Sequence, residues 1–269
     1  MKIKIVFSDI DGTFLTNDHN VTKNTERAVK SLLEKNIPFV LVSARMPEAI
    51  YPITDKIGIK IPIISYSGGL VLTEKEEVLY DKTIEVEQLK NILAEIKKCW
   101  SNITVNYYSG RRWFVRDVYD KRVQREMNIT SATAENADFD ELIKKQILPN
   151  KLLIMTEPPI CEEMEQELSK KFKELNIVRS SSILLEIMDN SVSKAAGIEV
   201  ILKYFGIGAE ESIGFGDNYN DVDMFKYVGH AVAMGNAPET VKKFADDVTT
   251  SNEEDGIYNY LLEKNIINI

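Results

Sequence analysis

The chain has 269 residues, 44% of them hydrophobic and 28% charged, with a formal net charge of -9. That is an ordinary globular composition, long enough for one large α/β domain or a core plus an insert. The acidic balance argues against a nucleic acid or an anionic membrane as partner, since either needs a basic face, and no apolar run reaches the roughly 18 residues of a membrane span. Cys99 and Cys161 are far apart in helix-like contexts and suggest no disulfide or zinc framework. His19 and His230 are too few for a histidine-based metal site, leaving oxygen ligands and a hard cation such as Mg²⁺. The start Met-Lys-Ile-Lys-Ile carries no signal-peptide pattern, so a cytoplasmic protein is expected.

The first strand reads as the almost continuously apolar run Ile3–Phe7, as a strand buried on both faces of a parallel sheet does. It stops at Asp9-Ile10-Asp11-Gly12-Thr13, with two carboxylates at the strand's carboxyl end, where open α/β sheets put their ligands. Carboxylates two residues apart repel unless a cation shares the site, so the pair implies a metal. Gly12 lets the backbone turn away, leaving Asp9 as a candidate nucleophile and Asp11 as a candidate acid and base. Standing alone, the same residues describe a strand followed by an Asp-Gly turn.

Thr22 caps a helix to Lys35 with Ala28, Val29, Leu32 and Leu33 at helical spacing. A buried strand, Ile37–Val42, ends in Ser43-Ala44-Arg45, and Pro47 opens a helix to about Ile57. A third strand, Ile61–Ser65, leads through Ser67-Gly68-Gly69 into a hairpin-like pair, Leu70–Thr73 and Val78–Tyr80. This β-α-β-α-β order is the doubly wound pattern.

From Thr83 to Met188 the rhythm changes. Helices at Val86–Lys98, near Tyr119–Glu126 and at Ile160–Leu175 mix with strands at Ile103–Tyr107, Trp113–Arg116, Leu152–Met155, Ile177–Val178 and Ile183–Ile187. They do not alternate simply, which predicts an inserted α+β domain, residues 83–188, with a mostly antiparallel sheet. Residues 1–82 and 189–269 then form the doubly wound, mostly parallel-sheet core. In the second half of that core a helix Ser193–Phe205, with Ser193 or Ser191 at its start, places Lys194 in its first turn, which the helix dipole disfavours. Ser212–Phe215 is a strand ending in Gly216-Asp217-Asn218-Tyr219-Asn220-Asp221, followed by further β and α units to Glu263.

Carboxylates, one hydroxyl and one lysine thus gather at strand ends or a helix start: Asp9 and Asp11, Ser43, Lys194, and Asp217 with Asn220 and Asp221. Taken alone, Ser43 reads as a turn residue, Lys194 as a solvated helix residue, and Arg45 can serve as a surface ion-pair partner. Converging without histidine, the set is what phosphoryl transfer through an aspartyl-phosphate needs. Mg²⁺ would bridge Asp9, Asp217 and a phosphoryl oxygen, with the Asp11 carbonyl as a further ligand; Lys194 would hold Asp9 and Ser43 the transferring group.

The chain resembles the haloacid-dehalogenase-like (HAD) hydrolases, within them the Cof-type phosphatases that carry a large cap between the second and third motifs. Asp9-Ile10-Asp11-Gly12-Thr13 matches the first motif, Ser43 the second, Lys194 the third, and Gly216-Asp217-Asn218 through Asn220-Asp221 the fourth. Ala233-Met234-Gly235-Asn236-Ala237 and Ser251-Asn252-Glu253-Glu254-Asp255-Gly256 are similar to the same subfamily.

The resemblance implies Asp9 as nucleophile and metal ligand, Asp11 as general acid then base, Asp217 as the remaining carboxylate ligand and Asp221 as the orienter of the metal's waters. It implies backbone phosphate contacts from Ile10 and Ala44 and side-chain contacts from Ser43, Lys194 and Asn220. Ala44 stands where the family usually has Gly, and Ser67 where an Asn is common.

The expected function is Mg²⁺-dependent hydrolysis of small sugar, nucleotide or flavin phosphates by a monomer or homodimer. A phosphomutase or dedicated sugar-phosphate phosphatase, or a phospho-accepting signalling module, are the alternatives. Arg111, Arg112 and Trp113, in an insert segment rich in aromatic and basic groups, are candidates for reading the leaving group; they equally suit a strand with one solvated face.

Overall fold

The structure, a computed structural model, describes residues 2–268. Its strands run in chain order β1 (Ile5–Asp9), β2 (Phe39–Val42), β3 (Ile63–Ser65), β4 (Leu70–Leu72), β5 (Val78–Asp81), β6 (Thr104–Ser109) and β7 (Arg112–Val115). They continue with β8 (Ala134–Asn136), β9 (Lys151–Met155), β10 (Leu175–Ser181), β11 (Leu184–Asp189), β12 (Ser212–Gly216), β13 (His230–Ala233) and β14 (Asp247–Val248).

The described residues fall into two compact units. One runs up to Arg45, takes in Ile50–Tyr80 and resumes at Ser193; the other comprises Met46–Ala49 and Asp81–Val192.

The first unit holds an eight-stranded sheet in the order β14-β13-β12-β1-β2-β3-β4-β5. β14 through β3 pair in parallel and β3 with β4 antiparallel. Every residue of β1, β2 and β12 is buried, as their unbroken apolar runs require when helices cover both faces. β1 sits where the strand order reverses, β2 on one side and β12 on the other, so its carboxyl end opens at a switch point of the sheet. Asp9 is its last residue, level with Val42 of β2.

Helix Lys23–Glu34 starts at Thr22, whose hydroxyl accepts from Thr25 N at 3.1 Å, and buries Ala28, Val29 and Leu32. Fully burying a side chain the size of Val29 or Leu32 contributes about 1.5–3 kcal/mol. The single helix expected over Pro47–Ile57 is instead a 3₁₀ turn, Pro47–Ala49, and a short helix, Tyr51–Lys56. Pro52 has no N–H for a continuing turn, so a new helix begins there.

The inserted unit is a six-stranded sheet, β10-β11-β9-β6-β7-β8, antiparallel except that β7 and β8 run parallel. Helices Val86–Cys99, Phe139–Lys144 and Pro158–Lys171 bury Leu89, Ile92, Leu142, Met164 and Leu168 in one cluster with Tyr107, Phe114, Leu152, Ile154, Leu185 and Ile187 of the sheet. β8 and helix Phe139–Lys144 went unread in the sequence: the strand is three residues, Ala-Glu-Asn, with no apolar alternation, and the helix spans six.

Candidate active site

Asp9 ends β1 almost sealed from solvent, and Lys194 reaches it from the start of helix Lys194–Phe205. That helix is capped by Ser193, whose hydroxyl accepts from Ala196 N at 3.1 Å, and by Asp223, which accepts from Ala195 N at 3.1 Å. The cap fixes the first turn, so Lys194 projects towards the strand tips. Its Nζ bonds Asp9 Oδ1 and lies 2.6 Å from Asp221 Oδ1. The unfavourable dipole at that position is outweighed by two buried carboxylates.

Asp221 follows β12 through a tight 3₁₀ turn, Tyr219–Asp221. Its Oδ2 accepts the backbone N–H groups of Asp217 and Asn218, each at 2.9 Å, so both carboxylate oxygens are engaged and the side chain is buried. Asp217, between them and β12, takes a 2.6 Å hydrogen bond from Thr13 Oγ1. Gly12 has φ +79°, and a Cβ there would stand 2.4 Å from Asp217 Oδ2. Only glycine lets this turn pass so close to a carboxylate.

Asp11 faces away from this cluster. Arg45 grips it in a two-point fork, Nε to Oδ2 at 2.8 Å and Nη2 to Oδ1 at 2.5 Å, and His19 Nδ1 lies 3.7 Å from Oδ1. The repulsion expected between Asp9 and Asp11 is therefore relieved by the chain itself, with Lys194 serving one and Arg45 the other. Arg45 is placed there by the loop after β2, where its own N–H donates to the buried Ser43 Oγ at 3.1 Å and its carbonyl accepts from Ser65 Oγ at 2.5 Å.

Ile10 is buried in the turn, its carbonyl accepting from Phe14 N and Leu15 N at 3.0 and 2.9 Å. Ala44 is half-buried beside Ser43, and Asn220 is exposed on the 3₁₀ turn. Ser67 has left-handed φ/ψ of 55° and 29°, a conformation asparagine tolerates better than serine.

Burial pushes the Asp9 carboxyl well above the usual carboxylate range; Lys194 opposes that, while Asp221 and Asp217 add to it. Burial also works against the charge on Lys194, but Asp221 and Asp9 outweigh it and hold the ammonium protonated. Asp217 is pushed up to about 6, chiefly by burial, with Thr13 opposing and Asp221 adding.

Carboxylate oxygens of Asp9, Asp217 and Asp221 all lie within 4.8 Å of one another. When all three carboxylates are ionised, one ammonium leaves two negative charges among buried and half-buried oxygen donors, which fits a hard divalent cation. With both Asp221 oxygens already bonded, Asp9 and Asp217 are the better direct ligands.

In the inserted unit, Trp113 is buried and donates from Nε1 to Asn106 Oδ1 at 3.0 Å. Arg112 pairs with Glu135 at 3.0 and 2.6 Å, and Arg111 with Glu48 at 2.7 Å. Sequence reasoning gave Thr13, Asn236 and Asn252 no role of their own, and Arg45 only that of a surface partner. The position of Arg45 two residues past a strand-end serine was the available signal.

With that geometry in place, the haloacid dehalogenase-like hydrolase family model matches residues 6–261. The chain belongs to the haloacid dehalogenase-like hydrolases and is an enzyme of their phosphatase type. It is 38% identical over 267 residues, 98% of this chain and 99% of the other, to a Haemophilus influenzae protein named "Putative phosphatase". A haloacid dehalogenase-like hydrolase from Bacteroides thetaiotaomicron superposes with TM-score 0.88 at 28% identity, covering 98% of this chain and 100% of that one. The subclass IIB sugar phosphatase BT4131 superposes at 0.82 with 26% identity, covering 98% and 100%.

Proposed function

We propose that the enzyme hydrolyses small phosphate monoesters, sugar phosphates among them, through a phosphorylated Asp9, with Mg²⁺ as its cation and the cytoplasm as its location. The observation that carries this reading is the buried Asp9–Lys194–Asp221 chain at the tip of the central strand, with Asp11 two residues on and outside it.

Lys194 holds Asp9 Oδ1 and so orients the carboxylate for attack on phosphorus, opposite the leaving oxygen. The P–O bond to the leaving group breaks as the Asp9–phosphorus bond forms, and protonated Asp11 delivers its proton to the departing oxygen. Water then attacks the same phosphorus; Asp11, now a carboxylate, takes the water's proton, and Asp9 is released with inorganic phosphate. Mg²⁺ held by Asp9, Asp217 and the Asp11 carbonyl would neutralise charge on the phosphoryl oxygens, with Asp221 bracing the turn that carries Asp217. Ser43, Lys194 and Asn220, with the N–H groups of Ile10 and Ala44, are the proposed phosphate contacts.

The inserted unit, carrying Arg111, Arg112 and Trp113, is proposed to select among esters. The sugar-phosphatase activity in BT4131's name supports sugar phosphates within a range of sugar, nucleotide or flavin phosphates, and Arg112 is the exposed basic group of β7, whose aromatic residues are buried. Phosphate release from a panel of monoesters, with and without Mg²⁺, tests the reading: multiple turnovers are expected, and a single stoichiometric phosphorylation without release would overturn it.

A further inference from the structure

Two tail segments that the chemistry above does not use, residues 233–237 and 251–256, converge on the loop that carries Asp11 and Thr13. After β1 the chain folds back on itself through Ile10 O, and the Gly12 peptide sits between Asp11 and Thr13. Gly12 O accepts from Asn236 Nδ2 at 2.8 Å, and Asn236 Oδ1 accepts from Asn252 N at 3.1 Å. Asn252, itself buried, donates from Nδ2 to Leu15 O at 2.9 Å and towards Asn17 Oδ1 at 3.3 Å. Asn17 N donates to Glu253 Oε1 at 2.6 Å, and Asp255 accepts from Thr22 Oγ1 and from Asn24 Nδ2, the latter at 2.7 Å. The two tail segments are locked together: Gly235 N donates to Thr250 O at 3.0 Å, and a Cβ on Gly235 would lie 2.8 Å from Ser251 N.

The physical need for such a clamp follows from Gly12. Its missing Cβ admits Asp217, but the same absence leaves the peptide free to rotate. Rotation of the Gly12–Thr13 peptide would swing Thr13 Oγ1 off Asp217 and turn the backbone that presents Asp11. We infer that Asn236 and Asn252 are positioning residues that hold the Gly12–Asn17 loop, and through it Asp11 and Thr13, in working register. Their hydrogen bonds described above run to the Gly12–Asn17 loop and to each other. In its effect on turnover the inference rests on the phosphatase reading above, since it assigns Asp11 a proton to deliver.

The test uses Asn236→Asp, Asn236→Ala and Asn252→Asp in the full chain. Asn236→Asp keeps the acceptor for Asn252 N but turns a carboxylate oxygen on Gly12 O. Two substrates separate positioning from general damage: an alkyl phosphate, whose leaving oxygen needs a proton, and para-nitrophenyl phosphate, whose leaving group does not. A displaced Asp11 lowers kcat/KM, which reports the steps up to departure of the leaving group, about tenfold or more on the alkyl ester and distinctly less on the aryl ester, whereas kcat can fall on both because Asp11 also serves the hydrolysis step common to them. Equal loss of kcat/KM on both esters, or wild-type kcat/KM on both, overturns the inference.

Amide hydrogen exchange reads the clamp without any activity. Exchange should quicken in residues 12–17 of the variants while Ile5–Asp9 keeps its protection; unchanged exchange in that loop likewise overturns the inference. If the wild type releases phosphate from neither ester, the phosphatase reading fails, and exchange alone decides whether the clamp holds the loop.

Discussion

Lys194 Nζ stands 2.6 Å from Asp221 Oδ1, and the two side chains are 1% and 0% exposed. Asp221 also accepts two backbone N–H groups, and Lys194 also bonds Asp9, so the pair links the first strand, the helix after the insert and the turn after β12. Removing one partner of a buried ion pair leaves an uncompensated charge, which typically costs about 3–5 kcal/mol. Lys194→Met is expected to lose stability on that scale in urea titrations of the metal-free protein. A loss under about 1 kcal/mol would mean the pair is not desolvated as described.

Asp9→Asn should keep the fold and abolish turnover, because the amide neither attacks phosphorus nor balances a cation. Initial rates and acid-quenched phosphoprotein are the readouts. Wild-type-like hydrolysis by this variant would remove the covalent mechanism.

Arg45 grips Asp11 where the carboxylate side chain is 48% exposed, so the pair should add little to stability, at most about 1 kcal/mol. Arg45→Ala is expected to unfold within a few degrees of the wild type yet to alter kcat on alkyl phosphates, since Asp11 loses its orienting partner. A large fall in melting temperature would instead make Arg45 a structural residue.

Asp217 predicts a pH dependence whose sign can be worked out. Its folded carboxyl titrates at about 6 against an ordinary 3.8, raised chiefly by burial. Between those values the folded state binds the proton more than the unfolded one, so this group removes stability as pH rises from about 4 to about 6. Chelated Asp217→Asn should therefore gain on chelated wild type over that interval, in denaturation curves taken at both pH values. Adding Mg²⁺ should stabilise the wild type above pH 6 more than the variant.

Trp113 and Arg112 separate structure from selectivity in the inserted unit. Trp113 is buried and bonded to Asn106, so Trp113→Ala should destabilise by about 3–5 kcal/mol and depress all esters alike. Arg112 is half-exposed, stacked on the Phe114 ring and paired with Glu135, so Arg112→Ala should leave stability within about 1 kcal/mol. Changed kcat/KM ratios between large and small esters for Arg112→Ala, measured on the panel, would support its proposed part in selection; unchanged ratios would remove it.

By itself the sequence determined the doubly wound core, the α+β insert and the strand-end acids, because these are local signals. Unbroken apolar runs report strands buried on both faces, and acids placed directly after such runs report the sheet's carboxyl edge. Thr22 was legible as a helix start for the same reason, since a cap acts within three residues of itself, whereas Ser193 and Ser191 were both open and the structure makes Ser193 the cap. Strand β8 was not legible, since a three-residue polar segment becomes a strand only because β7 offers it a partner.

Only the tertiary structure decided which charges meet. That Lys194 serves Asp9 and Asp221, that Arg45 reaches the Asp11 carboxylate, and that Asn236 and Asn252 reach back more than two hundred residues to the Asp11 loop are all consequences of packing. A hydrogen bond or ion pair depends on a few ångströms of separation. Between elements so far apart in the chain, that separation is fixed by the sheet order and leaves no period or spacing in the sequence.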